Sequence, residues 1–213
     1  MKAPFVLPDT IPVFPLSGAL LLPGGRLPLR VFEPRYLQMT DDALRGNRLI
    51  GIIQPVTDEG SSPKLYSIGC VGRLCAWSET GDGRYSIALA GLSRFRVDQE
   101  LQSARQYRIV KADYADYESD IHADDSGDTI DRERLAQCVR QYFAKQQMEN
   151  LWPSVEEFPG DMLVNSLSMV CPFPPAEKQA LLEAATVGDR AAMLIALIEM
   201  SMADNQGPEG MLQ

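Results

Sequence analysis

At the acidic run Glu118-Ser119-Asp120-Ile121-His122-Ala123-Asp124-Asp125-Ser126-Gly127-Asp128 the hydrophobic period of the chain changes from that of strands to that of helices. The charge changes at the same place. Residues 1–117 carry 14 basic and 12 acidic side chains, a net +2, whereas residues 118–213 carry 6 and 17, a net −11. A run so acidic and so rich in Ser and Gly is poorly suited to burial and reads as an exposed linker. The expected organisation is therefore a β domain over 1–117, a linker over 118–128, a helical bundle over 129–203 and a flexible tail over 204–213. The 213 residues are 45% hydrophobic and 23% charged, which excludes wholesale disorder and fibrous chains. A chain of this size buries about 70% of its unfolded surface and needs no disulfide or metal to hold it.

In the first half, short β-rich runs at 11–14, 26–32, 48–54, 67–77, 84–90, 95–101 and 107–114 are separated by turn residues. Gly81-Asp82-Gly83 joins two of them, and Asp-Gly is a hairpin signal because turn positions with φ > 0 suit it. Beyond it Tyr85, Ile87 and Leu89 alternate with Ser86, Ala88 and Ala90, the pattern of one buried face. Seven strands with short turns point to a closed or nearly closed β-barrel. One helix interrupts them. Pro34 suits a first helical position, Leu37, Thr40 and Leu44 follow at helical spacing, and Gly46 closes the helix from a C′ position, giving a span of 34–45. The fold class is thus α+β.

The second half reads as four helices packed as an antiparallel bundle. Thr129 or Asp128 caps a stripe of Leu135, Cys138, Val139, Tyr142 and Phe143. Met162, Leu163, Leu167 and Val170 form a second stripe, and Pro174-Pro175 opens a third helix with Ala180, Leu181 and Leu182. Thr186 and Asp189, three apart, make a capping-box-like start for the fourth.

A net charge of −9 argues against a generic nucleic-acid binder and against docking on an anionic membrane. No run of 18 apolar residues occurs, and Pro4, Pro8, Pro12 and Pro15 break up any signal-like apolar segment, so a cytoplasmic protein with no membrane partner is expected. Cys70, Cys75, Cys138 and Cys171 form no CxxC pair, and the odd offset of the first two puts them on opposite strand faces. They read as small buried residues of a reducing compartment.

Motifs that carry chemistry are missing. There is no GxxxxGK(S/T) loop, no GxGxxG after a strand, no HExxH and no GxSxG. The one histidine, His122, falls in the acidic run, where no packed neighbour would orient it as a base or ligand. Asp41 and Asp42 are adjacent on a helix and do not face each other, so they read as solvated, as do Asp124 and Asp125 in the linker. Lys2, Lys64, Lys111, Lys145 and Lys178 have no evident apolar nest of the kind a Ser–Lys dyad needs. No enzyme, no cofactor and no metal is expected.

Several segments carry a family resemblance. They are Ile11-Pro12-Val13-Phe14-Pro15-Leu16, Leu27-Pro28-Leu29-Arg30-Val31-Phe32-Glu33-Pro34-Arg35-Tyr36, Gly69-Cys70-Val71-Gly72-Arg73, Asp82-Gly83-Arg84-Tyr85 and Leu89-Ala90-Gly91-Leu92-Ser93-Arg94-Phe95. Lys178-Gln179-Ala180-Leu181-Leu182-Glu183 and Asp189-Arg190 continue the series. In this order the segments resemble the Lon protease N-terminal, or substrate-binding, domain over about residues 11–200. The resemblance implies a PUA-like β-barrel followed by a helical bundle, and a role in capturing unfolded or tagged proteins. The sequence departs from the full-length pattern because it ends where the ATPase domain would begin. It is similar to stand-alone bacterial members, so neither ATP hydrolysis nor peptidase activity carries over.

The expected function is a non-catalytic polypeptide-binding module, an adaptor that presents unfolded or tagged clients to a protease or chaperone. Extended peptides are held by apolar grooves and by β-augmentation at a free edge. The candidate peptide-binding residues are Leu20, Leu21, Leu22, Phe32, Arg35 and Tyr36. Three consecutive leucines in a loop cannot all point into one core, so either some are exposed or they cover the barrel end, and covering the end is the expected arrangement. Glu33 and Arg35 pin the start of the helix. The alternative is RNA binding, since PUA-like folds resemble an RNA-binding architecture. Arg94, Arg96, Arg105 and Arg108 would supply a basic edge, with Arg94 and Arg96 on one strand face, but the charge balance makes nucleic acid the weaker partner.

Overall fold

The computed structural model describes residues 6–57, 63–121, 130–147 and 159–204. His122, Asp124, Asp125, the rest of the acidic run beyond Ile121 and the tail beyond Asp204 lie outside the described residues. Within them the strands are β1 (Thr10–Pro15), β2 (Arg26–Val31), β3 (Leu49–Pro55), β4 (Leu65–Thr80), β5 (Arg84–Leu101) and β6 (Arg108–Asp113). The helices are α1 (Pro34–Arg45), α2 (Arg132–Lys145), α3 (Gly160–Val170), α4 (Pro175–Glu183) and α5 (Val187–Asp204), with a 3₁₀ segment at Ala115–Asp120.

Two expectations about the strands are corrected. Runs 84–90 and 95–101 are one strand, because β5 passes through Gly91 and Ser93 without turning and absorbs its curvature at register shifts opposite Val71/Gly72 of β4 and at Val97/Gln99 against β6. The sheet is also not a clear barrel. Its order is β2-β5-β4-β3-β1-β6, with a further β5–β6 pairing. One edge of β5 serves β2 along residues 85–90 and β6 along residues 96–101, so the sheet curls back on itself while β2 is left outside the curl. β1 runs parallel to β3 and antiparallel to β6.

Ile11, Val13, Leu49, Val71, Phe95 and Val110 fill the inside of the curl as a small core. A larger core covers its outer side and runs without interruption into the helical half, joining Ile52 and Leu89 of the sheet to Phe143, Leu167, Leu181 and Ile198. β3 lies between the two cores and is buried along its whole length, which its continuous Leu49-Ile50-Gly51-Ile52-Ile53 run requires.

Local signals explain most element ends. Glu33 is extended (φ −72°, ψ 135°) ahead of Pro34, and α1 spans the expected residues. Gly46 does not close α1 through a left-handed conformation: its φ is −107°, and the positive φ belongs to Arg48 (62°). In the hairpin only Gly83 takes positive φ (74°), its N–H donating to Thr80 O, so the turn has three residues rather than two. Asp131 caps α2 by accepting from the Arg134 N–H at 3.0 Å, whereas Thr129 and Asp128, the expected caps, lie outside the described residues. The stripe of α2 is buried as expected. That of α3 is rotated: Leu163, Val164 and Leu167 are inside and Val170 is exposed, because Asn165 and Ser168 also face inward and make hydrogen bonds there. Thr186 and Asp189 exchange capping hydrogen bonds at the start of α5, which packs on α2, α3 and α4. Cys70, Cys138 and Cys171 are buried, but Cys75 is exposed near the β4–β5 hairpin end, beyond the cover of the core.

Gly91 shows how closely the loop between β1 and β2 lies on the sheet. Its N–H donates to Gly25 O and its own carbonyl accepts from Gly24 N–H, and a methyl group there would collide with the Leu22 carbonyl. Gly91→Ala is expected to cost about 3 kcal/mol, measured by chemical denaturation, since the obstruction is backbone. Gly81→Ala, which meets nothing within 4 Å, should change stability by less than about 0.5 kcal/mol.

Candidate functional site

Leu20, Leu21 and Leu22 do not form a groove. They are 2%, 1% and 0% exposed, because their loop is covered on both sides. Leu21 reaches Gly72 and Gly91 of the sheet, while α3 covers the other side, with Met162 near Gly24, Met169 against Gly25 and Asn165 Nδ2 donating to Pro23 O at 3.0 Å. Burying three leucines contributes roughly 1.5–3 kcal/mol each, and none is left for a ligand. Tyr36 is buried too, its ring 3.9 Å from that of Phe14 and under the Arg35 guanidinium at 4.6 Å. Arg35 is half-exposed and pairs with Glu33 at 2.8 Å, holding the start of α1. Of the expected set only Phe32, 61% exposed, presents a large apolar surface.

Phe32 continues the outward face of β2. Arg26, Pro28 and Arg30 are exposed, while Leu27, Leu29 and Val31 turn inward. β2 pairs only with β5, so its other edge carries no strand among the described residues. Pro28 fits such a place because its nitrogen, having no hydrogen, can face the open edge. Neither Arg26 nor Arg30 makes an ion pair among the described residues. The result is a basic and apolar strip along a free edge, on a chain that is acidic as a whole.

The arginines considered for RNA are all matched to carboxylates. Arg96 bonds Asp116 at 3.1 Å, Arg105 bonds Asp42 at 2.8 Å, and Arg108 bonds Glu100. Arg94 is buried, and the side chain of Asp120, which sequence places in an exposed linker, is only 9% exposed. The two form a bidentate pair, with Nε and Nη2 both 2.9 Å from the carboxylate, and Asp120 also accepts from the Arg94 N–H. Arg94 Nη1 donates to the carbonyls of Leu182 and Ala184 at the end of α4, and the guanidinium lies 4.7 Å over the Tyr117 ring. Arg190 joins it from α5, donating to Leu181 O at 2.8 Å, Asn165 Oδ1 at 2.9 Å and Ala184 O at 3.4 Å. Two buried guanidiniums therefore close the carbonyl end of α4, where backbone acceptors and the helix dipole favour cations. Beside them opens a cleft of ≈ 610 Å³ between the β1–β2 loop, the 3₁₀ segment, α3 and the α4–α5 turn.

The remaining chemical candidates are structural. Asp41 and Asp42, which read as solvated, each accept from a tyrosine hydroxyl at 2.8 Å, Tyr85 and Tyr107, and so fasten α1 to the sheet. Lys178, for which no apolar nest is evident in the sequence, is buried, with Nζ donating to Met169 O, and burial lowers its pKa. Burial also pushes the thiol of Cys171 up to about 12, so the neighbouring lysine does not activate it as a nucleophile. Gln54 and Gln179, which sequence reasoning passed over, bridge the layers: Gln54 Nε2 donates to Pro175 O and Gln179 Oε1, and Gln179 Nε2 donates to Ile68 O. Among the described residues no helix is long and apolar enough to cross a membrane, and no three potential metal-ligating side chains converge.

A curled six-stranded sheet with a helical layer on its outer side is the fold of Lon N-terminal domains. The N-terminal domain of a Mycobacterium avium complex Lon protease superposes with a TM-score of 0.67 at 14% identity, over 89% of this chain and 98% of that one. A Lon N-terminal domain protein from Xanthomonas campestris gives 0.61 at 24% identity, over 88% and 97%. The model of the ATP-dependent protease La (LON) substrate-binding domain matches residues 10–200, and the chain belongs to that family. Lon protease 2 of Myxococcus xanthus is 27% identical over 197 residues, covering 90% of this chain and 24% of that protein. The chain thus spans about a quarter of the length of the curated relatives it matches.

Asp120→Asn is expected to destabilise the fold by about 3–5 kcal/mol, since it leaves the buried Arg94 without its counter-charge. Asp116→Asn, which breaks the exposed Arg96 pair, should cost no more than about 1 kcal/mol. Urea denaturation of both variants checks the contrast.

Proposed function

We propose that this chain binds polypeptides in extended form along the free edge of β2, and that it does so without making or breaking a covalent bond. The observation that carries this reading is the strip Arg26, Pro28, Arg30 and Phe32 on an edge strand that pairs on one side only. An added strand would complete the backbone hydrogen bonding of that edge, Phe32 would take an apolar client side chain, and the two free arginines would favour acidic or neutral stretches. Family membership supports the same direction, since the family is described as a substrate-binding domain. The arginines considered for RNA are neutralised by Asp120, Asp116, Asp42 and Glu100, which favours a polypeptide over nucleic acid.

The reading includes an adaptor role, in which clients held on the edge are passed to a protease or chaperone in the cytoplasm. It retains the PUA-like character of the β half over 1–117, a linker within 118–128 whose first residues, to Asp120, belong to the packed 3₁₀ segment, and an antiparallel arrangement of the helices over 129–203. Of the expected candidate residues Phe32 stays on the binding surface, joined by Arg26, Pro28 and Arg30, while Arg35 pairs with Glu33 at the start of α1. Leu20, Leu21, Leu22 and Tyr36 act from below as the support of that surface. Tyr36→Ala would therefore test folding rather than binding, at a cost of about 3–5 kcal/mol.

A reduced and alkylated, permanently unfolded protein is the appropriate probe. Phe32→Ala and the double variant Arg26→Glu/Arg30→Glu should each weaken its binding at least about tenfold, a loss of about 1.4 kcal/mol. Their thermal stability should stay within about 0.5 kcal/mol of the parent, because these side chains are exposed. Unchanged affinity in both would remove the edge as the binding surface. Mass spectra of the bound client after prolonged incubation should show it intact, and a cleavage product would end the non-enzymatic reading.

A further inference from the structure

We propose that the cleft beside the end of α4 is a second binding site, separate from the β2 edge, and that it takes the free α-carboxylate at the C-terminus of a polypeptide. Arg94 is matched by Asp120, but Arg190 has only neutral acceptors: two backbone carbonyls and the Asn165 side chain. Among the described residues no carboxylate lies within ion-pair distance of it. The carbonyl end of α4 supplies the equivalent of roughly half a negative charge, and two guanidiniums share it. Arg190 therefore lacks a direct counter-ion at a buried place where charge is costly, with Asp120 acting on it from farther off and Asp161 in the same cleft wall. Burial, and then the like charge of Arg94, lower the Arg190 pKa to about 10, which still leaves it protonated at neutral pH.

Shape selects the kind of anion. Arg190 is only 2% exposed and lines the cleft, so a carboxylate must reach in to meet it, as a chain end can and a passing strand cannot. Three of the five guanidinium N–H groups are engaged, which leaves two for a planar acceptor such as a carboxylate. Leu92, Ile121, Met162 and Val187 supply apolar walls for the terminal side chains, and the volume of ≈ 610 Å³ lies within the range of small-ligand sites. Asp161 also lines the cleft, where the start of α3 offsets its charge, and it disfavours a second acidic group in the ligand.

The test is calorimetric titration with a short apolar peptide ending in leucine, as the free acid, as the C-terminal amide, and as an amide with an internal glutamate. The free acid should bind at least about tenfold more tightly than either amide. Val187→Trp, which narrows the cleft from its apolar wall, should abolish the preference, with the thermal melt checking that the variant stays folded. Arg190→Gln should abolish it as well if the variant folds. Phe32→Ala should leave it unchanged, which separates this site from the β2 edge. Equal binding of acid and amide, binding of the internal glutamate peptide as tightly as the free acid, no binding of any of the three, or an unaltered preference in Val187→Trp would each overturn the proposal.

Discussion

One buried ion pair decides how the sheet and the helices sit together. Arg94 comes from the middle of β5, Asp120 from the 3₁₀ segment that follows β6, and the carbonyls they are shared with come from the end of α4. Each of these groups would be expensive to bury alone. Together they neutralise one another and satisfy backbone acceptors that a helix end always leaves over. Arg190 repeats the arrangement from the other side and carries it to Asn165 of α3. The apolar core that runs through both halves supplies most of the cohesion, but it is not directional. The guanidinium contacts are directional, and they fix which face of the helical layer meets which part of the sheet.

This arrangement explains what was legible in the sequence and what was not. Strand and helix runs were legible because periodicity is local: α1 came out at its observed span, and the α2 stripe matched its buried residues one for one. β5 was divided in two because Gly91 and Ser93 look like turn residues, whereas Gly91 is required by the close approach of the β1–β2 loop. The β2 edge was invisible for another reason. Pairing order is a long-range property, and nothing in Arg26-Leu27-Pro28-Leu29-Arg30-Val31 except Pro28 says that the strand has one neighbour.

Charged residues were the least legible of all. Asp120 lies in a run whose composition signals solvent, yet its side chain is largely covered, because its partner is 26 residues upstream and the helix end it serves is more than 60 residues downstream. Asp41, Asp42 and Lys178 were misread in the same way, each having a specific partner on another element. The leucine loop failed differently. A chain segment enclosed between two layers can bury side chains in both directions, an option that does not exist for a loop lying on one surface. The candidate surface consequently moved outward, from the leucines to the strand beside them, and kept Phe32 as its apolar centre.

The position of β1 has a consequence for how this chain is made on the ribosome. β1 precedes the other described strands in sequence, yet it sits between β3 and β6, and the loop after it is enclosed on its outer side only when α3 arrives. Until α3 and α4 have emerged, the Leu20–Leu22 loop has the sheet on one side only and Arg94 has no helix end to grip. Before those helices arrive the nascent protein therefore shows apolar surface of the kind chaperones attend, and it loses that surface when α3 and α4 pack against the sheet.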